Sequence, residues 1–196
     1  MSKKDKKQIA KIIELLENIG ILKRIPRMGW KLRGIPECET VASHSFRVVF
    51  ITLVIAEILK DKYSINFEKL LKIATLHEIP EAFITDLALK PAKYIGFDIK
   101  QKAEIAAFKD IFSGFDFEKQ YLEYWLEFEN NTTIEGKLVK IADKLDMLLQ
   151  AYEYEKIGLK KLDDFWKNTA NFEDYDIDLI TELFDELKKL HSKLKN

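Results

Sequence analysis

Apolar residues recur every three to four positions along most of this chain, which is the period of an amphipathic helix. A first helix is expected over residues 7–23, with Ile9, Ile12, Ile13, Leu16 and Ile19 on its buried side. The stretch from Ile25 to Pro36 reads as a loop. Thr40 is a suitable N-cap for a second helix over residues 41–60, carrying Val48, Ile51, Leu53, Val54 and Leu59. Asn66 caps a third, ending near Glu78. Pro80 has no N–H for the carbonyl of Leu76, so it either kinks this helix or opens the next. Helical pattern returns over residues 100–112 and 117–128. A long helix over residues 134–156 buries Leu138, Ile141, Ala142, Leu145, Leu148 and Leu149. A last one over residues 177–194 uses Ile180, Leu183, Phe184 and Leu187 the same way. No segment alternates with a period of two between hairpin turns, so the fold class is all-α.

Composition narrows this without changing it. The 196 residues fit one domain, expected to span residues 1–196, and the 47% hydrophobic fraction supports a real core. Charged residues make up 33% but nearly cancel, at a formal net charge of -1. A balanced chain has no global electrostatic attraction for nucleic acid or an anionic membrane. No apolar run is expected to span a bilayer and no secretion signal is read, and the single cysteine, Cys38, suits a reducing compartment. A cytoplasmic protein is the expectation.

The candidate chemistry sits in a few residues. Of three histidines, His44 and His77 belong to a set with Glu78 and Asp143 whose donor types suit a divalent cation. Asp143 lies in an otherwise apolar run, where a carboxylate needs a compensating charge; Lys140 and Lys144 are the alternative partners to an ion. All four arginines, Arg24, Arg27, Arg33 and Arg47, lie in one window around His44, and the guanidinium fork matches phosphate oxygens. Metal beside arginine suggests phosphate chemistry. Glu81 and Asp86 follow His77 by four and nine residues. If Pro80 opens a helix, Glu81 falls in its first turn, either as a base for water or as an ordinary first-turn acid. Trp30 can stack on a base or sugar, or can plug the core under its loop; composition favours the plug. Cys38 and His191 carry no evident chemistry, His191 reading as a surface residue. Tyr121, Tyr124, Trp125 and Phe128 read as core packing, and Lys188, Lys189 and Lys193 as a solvated face.

At these residues the chain resembles the HD-domain metal-dependent phosphohydrolases, in the branch of bacterial 5'-deoxynucleotidases and their archaeal and eukaryotic HD-domain-containing relatives. The match is carried by Gly29-Trp30, by Glu39 through Ser45, by Leu76-His77-Glu78-Ile79-Pro80-Glu81-Ala82 through Asp86-Leu87, and by Lys140 through Asp146 continuing to Glu155. It is strongest over residues 8–160. The resemblance implies an HD-domain helical bundle and one divalent metal ion (Mn, Co, Mg, Zn, Ni or Fe) held by His44, His77, Glu78 and Asp143. It implies that Glu81 is catalytic, that Asp86 lies near the sugar, and that Trp30 contacts substrate. It also implies a phosphate-binding arginine, for which Arg27 is the best match, slightly out of register; Arg33 and Arg47 are the further candidates. The substrate implied is a nucleoside monophosphate, and a homodimer is the expected assembly. The doublet here is His-Glu where the family has His-Asp, which adds a methylene to one ligand. Rival readings are hydrolysis of a cyclic nucleotide or another small phosphate ester, and nucleotide binding without turnover.

Overall fold

The computed structural model describes residues 2–195, in which eleven α-helices are joined by turns and two short 3-10 segments. The helices are α1 (Lys3–Gly20), α2 (Met28–Lys31), α3 (Val41–Leu59), α4 (Phe67–Leu76), α5 (Glu81–Ile84), α6 (Leu89–Ile95), α7 (Phe97–Ile111), α8 (Glu118–Asn130), α9 (Ile134–Lys156), α10 (Asp163–Lys167) and α11 (Asp178–Leu194). An isolated Pro26–Thr40 bridge is the only β-pairing among the described residues. By contact the chain forms two units, Met1–Ser45 with Thr75–Leu126, and Phe46–Ala74 with Glu127–Asn196.

In the first unit the core gathers Leu22, Val41, Leu76, Ile79, Ala82, Phe108, Ile111, Phe112 and Trp125, with Leu15 and Ile19 of α1 packed against it. The expected buried face of α1 is corrected here. Ile9, Ile12, Ile13 and Leu16 are exposed, because α1 docks through Leu15 and Ile19 near its C-terminal end. Periodicity marks an apolar stripe but does not say which part of it finds a partner. Ser2 and Asp5 close a capping box at the N-terminus of α1.

In the second unit α3 buries Val48, Thr52, Ile55, Ala56 and Leu59 along one stripe. Asn66 caps α4 as expected, its Oδ1 accepting the Lys69 N–H at 3.0 Å. Helix α9 buries Leu138, Ile141, Ala142, Leu145 and Leu148, and α11 lies against it with Ile180, Phe184 and Leu187 inside. Leu183 is 37% exposed, so it faces away from that contact. Gly136, in the first turn of α9, is required by a close approach. A Cβ there would stand 2.8 Å from the Glu127 carbonyl carbon, a distance no side chain tolerates without movement.

Two further expectations change. Helix α3 has 19 residues with a mean hydropathy of 1.7 over its most apolar stretch, so by length and composition alone it is long enough to cross a membrane. His191 is also no surface residue: it is buried, stacked 3.9 Å from the Trp166 ring and 3.0 Å from Glu155 Oε2. Lysines lie two and three residues away along its helix, but the ring and carboxylate that cover it come from positions far along the chain.

Candidate metal and phosphate site

His44 is delivered by the first turn of α3. Thr40 Oγ1 accepts the Ser43 N–H at 3.2 Å, which caps the helix as expected. The same segment is stitched to the loop before it: Val41 N–H donates to Ile25 O at 2.9 Å, and Arg27 N–H to Glu39 O at 3.0 Å. Arg27 is thereby fixed to the strand of chain that leads into His44.

His77 and Glu78 occupy a turn, not the end of a helix as the sequence suggested. Helix α4 stops at Leu76, because Pro80 offers that carbonyl no N–H and disfavours helical backbone before it. Pro80 then caps α5, and Glu81 opens it. The turn is held from outside by Trp125, whose buried indole N–H donates to the His77 carbonyl at 3.2 Å. Adjacent helical residues diverge by about 100°; in this turn the side chains of His77 and Glu78 converge. Glu78 Oε1 lies 3.4 Å from His44 Nε2 and 3.9 Å from His77 Nε2. One donor atom from each of His44, His77 and Glu78 lies within 4.8 Å of the others. Both imidazoles are almost fully buried, at 0% and 3% exposure, so their nitrogens are not there to meet bulk water.

Around this set the charges are arranged unevenly. Arg27 Nη1 donates to Glu78 Oε1 at 2.7 Å, and its Nε lies 3.7 Å from Asp86 Oδ2. Burial opposes the charge on Glu78, yet the Arg27 guanidinium and the His44 hydrogen bond hold its carboxyl well below the usual range. Glu81 goes the other way. Burial and then the negative charges of Glu78 and Asp86 push it well above its ordinary value, and its Oε2 has no hydrogen-bond partner. Asp86 is raised too, chiefly by burial, with Arg27 and the Met28 N–H (2.9 Å) working against the rise. Thr85 precedes it at φ +66, an uncommon backbone for a β-branched residue, and Asp86 itself is buried.

The remaining sequence candidates fall as follows. Asp143 sits midway along α9, 3.7 Å from Lys144 Nζ and mostly shielded. Trp30 is 2% exposed and donates its indole N–H to Glu39 at 2.8 Å, the geometry of the core plug. Arg33 is turned back on its own loop, donating to Gly29 O at 2.6 Å. Arg47 is engaged by α9: it pairs with Asp146, with both oxygens of Glu153 at 2.9 Å and with Gln150 at 2.9 Å. Arg27 is therefore the arginine gathered with the histidines. Sequence reasoning missed Trp125 as the anchor of the turn and Asp146 as the buried partner of Arg47. A buried acid three residues beyond Asp143 was the available signal for the second.

The donor set of the first unit fits a divalent cation: two buried imidazoles and the Glu78 carboxylate, with negative charge exceeding positive among their neighbours. Residues 19–178 match the HD domain family. The chain is similar to the 5'-deoxynucleotidase HDDC2 of Homo sapiens, 34% identical over 163 residues that cover 81% of this chain and 76% of that protein. In structure it is similar to a conserved hypothetical protein of Pyrococcus furiosus, with a TM-score of 0.77 and 45% identity over 92% of this chain and 99% of that one. An HD-domain phosphohydrolase from Listeria innocua shares the fold, with a TM-score of 0.69 at 21% identity over 94% of this chain and 98% of that one. With an all-α fold, a histidine–carboxylate cluster of this make-up and a family match across most of its length, the chain belongs to the HD domain family.

Proposed function

We propose that this protein is a metal-dependent phosphohydrolase that converts deoxynucleoside 5'-monophosphates to deoxynucleoside and inorganic phosphate. The observation that carries the reading is the meeting of the His44, His77 and Glu78 donor atoms beside Arg27, in a chain similar to 5'-deoxynucleotidases. Those three residues, with Asp143 as the fourth ligand that the resemblance implies, would hold one divalent cation. Bound there, such an ion polarises a phosphoryl oxygen and acidifies a coordinated water.

The chain's own residues supply the rest. Arg27 neutralises charge on the phosphate, where a guanidinium beside the reacting centre acts most strongly. Glu81 takes the proton of the attacking water as the water oxygen bonds to phosphorus, and a proton passes to the 5' oxygen as its bond to phosphorus breaks, so that the deoxynucleoside leaves as the alcohol and Glu81 is restored. Glu81 opens α5 just after the Glu78 turn, with a buried Oε2 that no hydrogen bond occupies, which suits it to that task. Asp86 orients the sugar while fixing the Arg27 loop through Met28 N–H. We read Trp30 and Arg33 as the braces of that loop, and Arg47 as a clamp on α9. Residues 1–196 form one phosphohydrolase domain on this reading. Its single cysteine suits the cytoplasm, and its balanced charge gives nucleic acid no purchase.

Phosphate release from a panel of ribo- and deoxynucleoside monophosphates with Mn²⁺, Co²⁺ or Mg²⁺ tests the assignment. Deoxynucleotides should be preferred. Release no greater than that of an Asp143→Ala control contradicts it. One observation favours the rival of binding without turnover: Glu78 is already engaged by Arg27. Activity gained only on Glu78→Asp would support that rival.

A homodimer is also part of the proposal. Phe46, Phe50, Val54 and Ile58 recur every fourth residue on α3 and are 75%, 58%, 41% and 59% exposed, an apolar row that a second copy would cover. Light scattering should give twice the 23.0 kDa chain mass, and Phe50→Glu should reduce it to one.

A further inference from the structure

One oxygen atom is asked to do two things. Glu78 Oε1 is the oxygen that faces both His44 Nε2 and His77 Nε2, and it is also the acceptor of Arg27 Nη1 at 2.7 Å. The first relation suits a cation ligand. The second occupies the arginine that the phosphatase reading assigns to phosphate, and the present inference rests on that reading. A carboxylate at this distance from a guanidinium is a direct competitor of a phosphate oxygen for the same N–H groups.

The competition depends on the length of the side chain. The family doublet carries aspartate at this position; this chain carries glutamate, whose extra methylene lengthens the arm by roughly 1.5 Å. That reach spans from the imidazoles to the guanidinium. Arg27 has a second hold, its Nε near Asp86 Oδ2 at 3.7 Å, and Asp86 is itself fixed by the Met28 N–H at 2.9 Å. If Glu78 turns away, the guanidinium keeps its place through Asp86 and presents the vacated N–H outward.

We propose that Glu78 couples the two binding events: without a cation it occupies Arg27 and keeps phosphate monoesters out, and on ligating a cation it releases Arg27 to receive them. The protein then does not sequester nucleotides while it lacks metal. Because such coupling is reciprocal, phosphate must also tighten the hold on the cation by the same factor. Asp at position 78 keeps the charge and the ligand type but falls short of Arg27, which separates this effect from simple repulsion between an acid and an anion.

The test uses inorganic phosphate as the probe, titrated calorimetrically into chelator-treated protein and into Co²⁺-loaded protein. Metal-free Glu78→Asp should bind phosphate at least about fivefold more tightly than metal-free wild type, a coupling of ordinary size. Adding Arg27→Ala to that variant should remove the gain. A folded Glu78→Asp protein with unchanged metal-free phosphate affinity overturns the proposal. Should that variant not fold, Arg27→Lys serves instead. Lysine has no counterpart of the Nη1 that reaches Glu78 while Nε stays near Asp86, so Co²⁺ affinity, followed by its visible absorption, should rise at least about fivefold; no rise overturns the proposal. Wild type that takes up no Co²⁺ at all would defeat the phosphatase reading itself, and this inference with it.

Discussion

In the first unit Glu78 and Asp86 share a single guanidinium, that of Arg27, with Glu81 within reach of its charge; in the second, Glu127 and Glu135 share Lys69, while Asp146 and Glu153 share Arg47. Both groups bury carboxylates, but the outcomes are opposite. Glu135 is lowered: although burial opposes its charge, the Asn66 N–H and Lys69 overcome it. Glu81 and Asp86 are raised, because burial is joined by mutual repulsion that one arginine does not cancel. Buried charge persists in a stable fold when it is matched, and unmatched charge needs something further. The second unit is matched from within the protein. The first leaves an excess of negative charge beside two buried imidazoles, which is what a divalent cation would neutralise.

Glu81→Gln should separate the two kinds of acid most sharply. Turnover should fall about 100- to 10,000-fold, the ordinary worth of a general base. Stability of the metal-free protein at neutral pH should nevertheless rise by about 0.5–2 kcal/mol, since the variant removes repulsion that function requires. The sign follows from linkage. The folded-state affinity of Glu81 for protons is raised, so folding is penalised once pH climbs above the unfolded value of 4.5. Melting curves of wild type and variant should therefore diverge as pH rises; a variant less stable than wild type at pH 7 would break the contrast.

Arg47→Ala should do the reverse in the second unit. It removes the cation that faces the fully buried Asp146, a loss of about 3–5 kcal/mol. A variant that melts like wild type would instead return Arg47 to the list of substrate-binding candidates. Gly136→Ala forces the first turn of α9 away from the Glu127 carbonyl and should cost about 1–3 kcal/mol by chemical denaturation. Smallest is Glu135→Gln, at about 1 kcal/mol near neutrality, because the partly shielded Lys69 pair is lost. Glu135 has a lowered folded value, so its contribution is full above 4.5 and disappears as pH falls through that lowered value. The two proteins should converge in acid, and a gap that persists there would contradict the role given to the charge.

Much of this was legible in the chain itself because local rules carried it. The all-α class, the caps at Thr40 and Asn66, and α9 over residues 134–156 follow from spacing and capping chemistry between near neighbours. His44, His77, Glu78 and Asp143 were picked out by donor type, scarcity and resemblance, and the donor atoms of the first three lie close together. What escaped was decided by partners far along the chain. Arg27 and Glu78 are 51 residues apart, and Arg47 and Asp146 are 99 apart. Nothing in a local pattern tells which of four arginines meets the imidazoles and which clamps a helix. The exposed stripe of α1 failed for the same reason, since amphipathicity precedes docking and does not choose its site. Short α2, α6 and α10 were missed because helices of four to seven residues carry too few turns to display a period, whereas α5 was one of the two alternatives that Pro80 offered.

The central claim is that His44, His77, Glu78 and Asp143 grip one cation. Crystals grown with Co²⁺ or Mn²⁺ and measured at the metal's absorption edge test it most directly. The account predicts one strong anomalous peak within about 2.0–2.3 Å of a nitrogen of each histidine and of an oxygen of Glu78 and Asp143. No peak among those atoms in metal-saturated crystals, or an ion bound elsewhere with Glu78 still paired to Arg27, would contradict it.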